Sequence, residues 1–172
     1  MTMPAAEPRL TTSGMAVPVR AVDRAIAASA DALARHSITA LRISLGLVFL
    51  GFGALKFFPG VSPAEELVIK TLDALTFGVI DGRGAMVLTA VVECVIGLTL
   101  VTGLLLRFGL LVLAVAMVGI LSPLVLFFGD LFPGGRPTIE GQYVLKDIIL
   151  ATAAAVVTAR VLGARFVRGD GR

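Results

Sequence analysis

The stretch GAMVLTAVVECVIGLTLVTGLLLRFGLLVLAVAMVGILSPLVLFF, residues 84–128, holds two charged residues, Glu93 and Arg107, in 45 positions. As one helix it would extend about 67 Å, roughly twice the thickness of a bilayer's hydrocarbon core, so it must fold back on itself. The reversal is expected at Arg107, which Gly103 and Gly109 flank. An arginine belongs at a membrane interface, and glycine relaxes the backbone for a tight turn. Two spans follow, residues 84–106 and 108–128.

Outward from this hairpin, residues 38–58 and 143–162 form two more apolar stretches, each about 30 Å long as a helix and bounded by polar or Gly/Pro-rich sequence. The whole chain is 57% apolar and 16% charged, with a mean hydropathy of +0.96, a balance that excludes an ordinary soluble domain. The expected fold class is an all-α membrane protein, a four-transmembrane-helix bundle occupying residues 38–162. Orientation comes from the basic residues outside the spans. Arg9, Arg20, Arg24, Arg35, Arg107, Arg160, Arg165, Arg168 and Arg172 fall on one side, against Lys70, Arg83 and Arg136 on the other. That asymmetry places both termini in the cytoplasm. The same excess accounts for the high pI and is read as attraction to anionic lipid, since no aromatic-interleaved basic patch points to nucleic acid.

The first 37 residues lack the apolar core of a cleavable signal peptide, so the first span is expected to act as its own insertion signal. Residues 1–16 read as disordered. Over 17–35, Val19, Val22, Ile26 and Leu33 share one helical face, which suits either a short cytoplasmic helix lying on the membrane or a solvated helix preceding the first span. Residues 163–172 form a basic cytoplasmic tail. On the other side, Ser62, Pro63 and Glu65 carry a helix-start signature of cap, first-turn proline and reciprocal glutamate, with Leu67, Val68, Leu72 and Leu75 on the face that follows. Residues 129–142 are rich in Gly and Pro and read as an ordered loop. Both segments are placed to cover the outer mouth of the bundle.

The charges inside the spans are the candidate functional residues, because an ionised side chain at bilayer depth is costly unless paired or hydrated. Counting along the helices puts Lys56 about 3 Å inside the outer end of its span, Lys146 and Asp147 about 5 Å deep, and Glu93 about 14 Å deep. Two readings stand for each lysine: snorkelling to the outer headgroups, or donating to a bound group. Asp147, with Tyr143 one turn earlier on the same face, is either an interfacial carboxylate paired with a lysine or half of a hydrogen-bonding pair aimed into the bundle. Glu93 reaches neither interface and must be neutral, paired or hydrated. It serves either as a proton carrier or as half of a buried ion pair that fixes helix register. Arg42, about 6 Å inside the cytoplasmic end of the first span, is expected to snorkel inward and is kept as a further candidate contact. Gly46 and Gly53 on the first span, and Thr89 and Gly97 beside Glu93 on the second, predict close helix packing, and Ser122-Pro123 predicts a kink.

The lone His36 and the lone Cys94 leave no bis-histidine haem, CxxC relay, iron–sulfur cluster or ordinary zinc site, and neither a dinucleotide fingerprint nor a phosphate loop is present. Any redox chemistry would therefore use a diffusible membrane carrier or a partner subunit.

Leu41, Arg42, Gly46, Phe49, Leu50, Gly53 and Lys56 in the first span, followed by Glu93, Gly97, Gly103 and Arg107, resemble the DoxX superfamily of small four-helix membrane proteins. The run Phe52-Gly53-Ala54-Leu55-Lys56-Phe57-Phe58-Pro59 and the later Val144-Leu145-Lys146-Asp147 are similar to its DUF417-like branch, from which the chain departs at Gly60-Val61-Ser62. The resemblance covers residues 38–162 and implies a protein of the bacterial cytoplasmic membrane with a quinone-linked role. The leading expectation is a subunit of, or accessory to, a redox complex, in which Glu93 and Asp147 carry protons while Lys56, Lys146, Tyr143 and Arg42 contact substrate. A membrane quinone would be the cofactor, with none intrinsic, and other membrane or redox-complex subunits the partners. Two other readings stay open: a noncatalytic assembly subunit, and a small solute or proton transporter.

Overall fold

A computed structural model describes residues 16–164. The disorder expected for residues 1–15 and most of the expected basic tail, residues 165–172, lie outside the described residues. All regular structure within them is helical: α1 (Ala16–Leu55), α2 (Glu65–Leu75), α3 (Gly82–Thr102), α4 (Leu106–Leu121), α5 (Pro123–Leu126), α6 (Phe128–Leu131), a 3-10 turn at Pro133–Gly135, and α7 (Ile139–Val161).

The chain divides into two compact units, Met1–Ser37 and Ile38–Arg172. In the first, the described residues are helical, and Val22, Ile26 and Leu33 are all exposed. The expected separate helix over residues 17–35 is instead part of α1, because no glycine or proline interrupts the alanine-rich run between Pro18 and Gly46.

In the second unit one apolar core is shared by Leu45 and Phe49 of α1, Ile96 and Leu100 of α3, Leu110, Leu113 and Met117 of α4, and Ala154 and Val157 of α7. Glycines set the α1–α3 spacing. A Cβ built on Gly97 would lie 2.6 Å from the backbone nitrogen of Leu50, and one on Gly53 would lie 2.9 Å from the Cβ of Glu93. Gly46 faces Gly97 and Leu100 while Gly53 faces Ala90 and Glu93, so α1 and α3 run antiparallel. Among the described residues, three stretches are long and apolar enough to cross a membrane: Ala21–Leu55, Gly82–Thr102 and Leu106–Leu126. The fourth expected span, residues 143–162, corresponds to α7, which begins four residues earlier, at Ile139.

The reversal between α3 and α4 comes earlier than Arg107. Gly103 takes the left-handed conformation that ends a helix, with φ 77°, and Leu105 follows at φ 49°. Arg107 already lies in α4, and Gly109 does a different job, lying so close to Thr99 that no side chain fits between the two helices. The Ser122-Pro123 kink is present. Proline has no N–H to offer the carbonyl of Gly119, and the Ser122 hydroxyl donates to that oxygen at 2.7 Å instead. The expected cap on α2 does not form. Ala64 holds the cap position, the buried Ser62 hydroxyl has no partner, and the Glu65 carboxylate accepts from the backbone N–H of Gly60 at 2.7 Å. Residues 129–142, expected as a loop, contain α6, the 3-10 turn and the start of α7, where the Thr138 side chain accepts from Gly141 N–H at 3.1 Å.

Candidate functional site

α1 ends at Leu55, one residue before Lys56, so the lysine leaves the helix at its carbonyl-rich end. Arg83, in the first turn of α3, satisfies that end: its guanidinium donates to the carbonyl of Lys56 at 3.1 Å and also to that of Phe57. Fixed there, and with the α1–α3 approach at Gly53 leaving little space, the Lys56 stem crosses to α3. Its Nζ lies 2.6 Å from Oε2 of Glu93, with side chains only 5% and 8% exposed. These two intramembrane charges are thus closed upon each other.

The other two are not. On α7, Tyr143, Lys146 and Asp147 are three and four residues apart and share a face. The ammonium of Lys146 lies 4.4 Å from the ring centroid of Tyr143 and 5.0 Å from that of Phe52 on α1, between two aromatic faces. Asp147 is half-buried and feels the charges of Lys146, Glu93 and Lys56. Among the described residues neither Lys146 nor Asp147 makes a salt bridge. The site therefore offers one free ammonium, one free carboxylate and a phenol beside a closed ion pair.

All of these groups line one cavity of about 830 Å³. Apart from Thr71 and Thr89, its remaining wall is apolar, built from Phe49 and Phe52 of α1, Val92 of α3, Leu111 and Val115 of α4, Leu150 of α7, and Leu67, Val68, Leu72 and Leu75 of α2. Both threonine hydroxyl protons are donated within their own helices, to Leu67 and Ala85. The cavity size and its mix of apolar wall with a few convergent polar groups suit a single amphiphilic small molecule.

The structure thus brings together Lys56, Glu93, Tyr143, Lys146 and Asp147. Arg42 does not join them. It lies 14 residues before Lys56, about 21 Å along the helix, with its guanidinium against Gly103 in the α3–α4 turn. Counting charges in spans missed three contributors. Arg83 read only as a topology charge, although an arginine opening one span opposite the end of another is a signal for helix capping. Phe52 stood only in the run that resembles the family, and α2 read as a cover for the outer mouth but not as a wall of the cavity. Lys70 of α2 also pairs with Asp130 of α6 at 2.5 Å and lies 4.3 Å from the Phe127 ring, tying α2 to the segment after α4.

A family model described as DoxX matches residues 37–128, more than half of the chain. No curated protein and no solved structure matches it.

Proposed function

The chain belongs to the DoxX family of membrane proteins, and on that premise we propose that it is an integral membrane subunit of, or accessory to, a quinone-linked redox system, with a quinone-binding site in the cavity. The observation that carries this reading is the apolar cavity of about 830 Å³ whose one polar patch holds a free ammonium and a free carboxylate. A quinone matches that division: its ring oxygens need a donor and, once reduced, an acceptor, while its tail needs hydrocarbon. When bound, the quinone supplies the two-electron, two-proton chemistry that no side chain here performs. Lys146, steered by Tyr143 and Phe52, donates to one ring oxygen. Asp147 accepts from the other and holds the proton there. Lys56 and Glu93 set the local charge and hold α1 against α3.

In the same proposal α7 is the fourth span, with Lys146 and Asp147 turned to the cavity. Both termini face the cytoplasm of a bacterial cell, and the polar patch lies in the outer half of the membrane. The basic excess on the α3–α4 turn and at the α7 C-terminus supports that orientation. The closure of Lys56 on Glu93 also favours a second reading, a noncatalytic assembly subunit whose charges serve packing alone.

Binding separates the two. Purified protein should bind a short-tailed benzoquinone saturably, and under reducing conditions Asp147→Asn should weaken binding of the corresponding quinol about tenfold, close to 1.4 kcal/mol, with an unchanged melting temperature. Absence of saturable binding by the unaltered protein defeats the quinone reading and leaves assembly, which copurification with an oxidoreductase from native membranes would then test.

A further inference from the structure

The cavity wall includes side chains that are not buried. Leu111, Val115 and Val118 of α4 line it and are 65%, 68% and 73% exposed, and Leu75 of α2 and Leu88 of α3 line it while exposed as well. A residue both lining a cavity and largely exposed marks an open side. That side is bordered by α2, α3 and α4, and α4 belongs to one of the stretches apolar enough to cross a membrane, so what lies outside it is lipid hydrocarbon. On the same rim, a Cβ built on Gly119 meets nothing within 4 Å, so the gap is not filled there. The lining residues of α4 extend from Leu111 to Ile120, about 14 Å along the helix. The polar patch lies on α7 and at the end of α1, and Lys146 within it is itself exposed.

We propose that the cavity is a lateral site fed from the bilayer, which takes one long-chain amphiphile with its headgroup at Lys146 and Asp147 and its hydrocarbon tail leaving along α4 into the lipid. This rests on the reading of the cavity as a ligand site, but not on the ligand being a quinone. A solute taken from water would find most of the wall unable to hydrogen-bond it, whereas an amphiphile matches both the polar patch and the apolar run. The opening also explains why α2 is tied down by Lys70 and Asp130 at its edge: it shapes one border of the gap without sealing it.

The chain contains no tryptophan, so an introduced one is the only such reporter. Phe52→Trp puts it inside the cavity, Val115→Trp on the rim, and Val125→Trp, outside the cavity and 85% exposed, serves as the lipid-facing reference. Each variant is reconstituted in phosphatidylcholine vesicles with or without bromine on the acyl chains. Brominated chains should quench both Val115→Trp and Phe52→Trp to at least half the extent of the reference, while iodide in the buffer leaves Phe52→Trp unquenched. If iodide alone quenches Phe52→Trp, the cavity opens to water and the lateral route is wrong; if neither quencher reaches it, the cavity is closed and the route is equally wrong. Should Phe52→Trp fail to fold, Leu150→Trp on the α7 wall gives the same readout. Persistent acyl-chain quenching in a protein that binds no short-tailed quinone would sink the quinone reading while leaving the lateral site standing.

Discussion

At the scale of single residues, the four charges that interrupt the apolar helices divide into a closed pair and an open pair. Residue type and depth made all four visible in the sequence, since Lys56, Glu93, Lys146 and Asp147 interrupt otherwise apolar helices. Which carboxylate faces which lysine was not visible, because Lys56 and Glu93 are 37 positions apart and their meeting depends on how α1 lies against α3. Arg42 shows the converse: its type and depth resembled those of Lys56, yet it belongs to the opposite end of the helix. A buried pair loses more when halved than when removed. Glu93→Leu or Lys56→Met alone should therefore destabilise the detergent-solubilised protein by about 3–5 kcal/mol, and the double replacement should recover most of that. Quinone binding should also survive in the double variant, as the pair supports the site from beside it. A double variant that melts normally but has lost binding would show that Glu93 or Lys56 contacts the ligand directly.

At the scale of elements, glycine carries two distinct meanings in this chain, and the sequence alone does not separate them. Gly103 and Gly109 both flank Arg107, but only Gly103 has the positive φ that ends a helix, while Gly109 makes room for Thr99. The turn is further disguised by Leu105, a leucine held in a left-handed conformation that nothing in its chemistry announces. The apolar runs were more legible than the helix ends, because apolar runs are set by the membrane and ends by local capping. The α1–α3 interface gives the sharpest contrast. Gly97→Ala forces a methyl to 2.6 Å from the Leu50 backbone nitrogen, so the helices must part, at a cost of about 1–3 kcal/mol. Gly51→Ala, next to Leu50 on α1 but on an exposed side of the helix, meets nothing within 4 Å and should leave thermal stability unchanged or slightly raised. Equal melting temperatures for the two variants would show that α1 and α3 do not approach this closely.

At the scale of the whole molecule, the orientation of α7 decides how the cavity sits in the membrane. α7 has 23 residues, about 35 Å, enough to cross the hydrocarbon core, and it shares the core cluster with the other long helices through Ala154 and Val157. Its hydropathy is diluted by Lys146, Asp147 and Arg160, which is why it reads less clearly as a span than Gly82–Thr102 or Leu106–Leu126. The first two of those charges line the cavity and the third lies at the helix end, so the dilution is confined to the cavity wall and the boundary. With Cys94 as the only cysteine, a Cys94→Ala background permits a direct test. Gly135→Cys, exposed just before α7, should react in intact cells with a maleimide that cannot cross membranes. Arg160→Cys, exposed near the other end, should react only after the membrane is opened. If both positions label from the same side, α7 does not cross the bilayer, and the patch formed by Lys146 and Asp147 would lie at an interface where a lysine and an aspartate need no ligand to be satisfied.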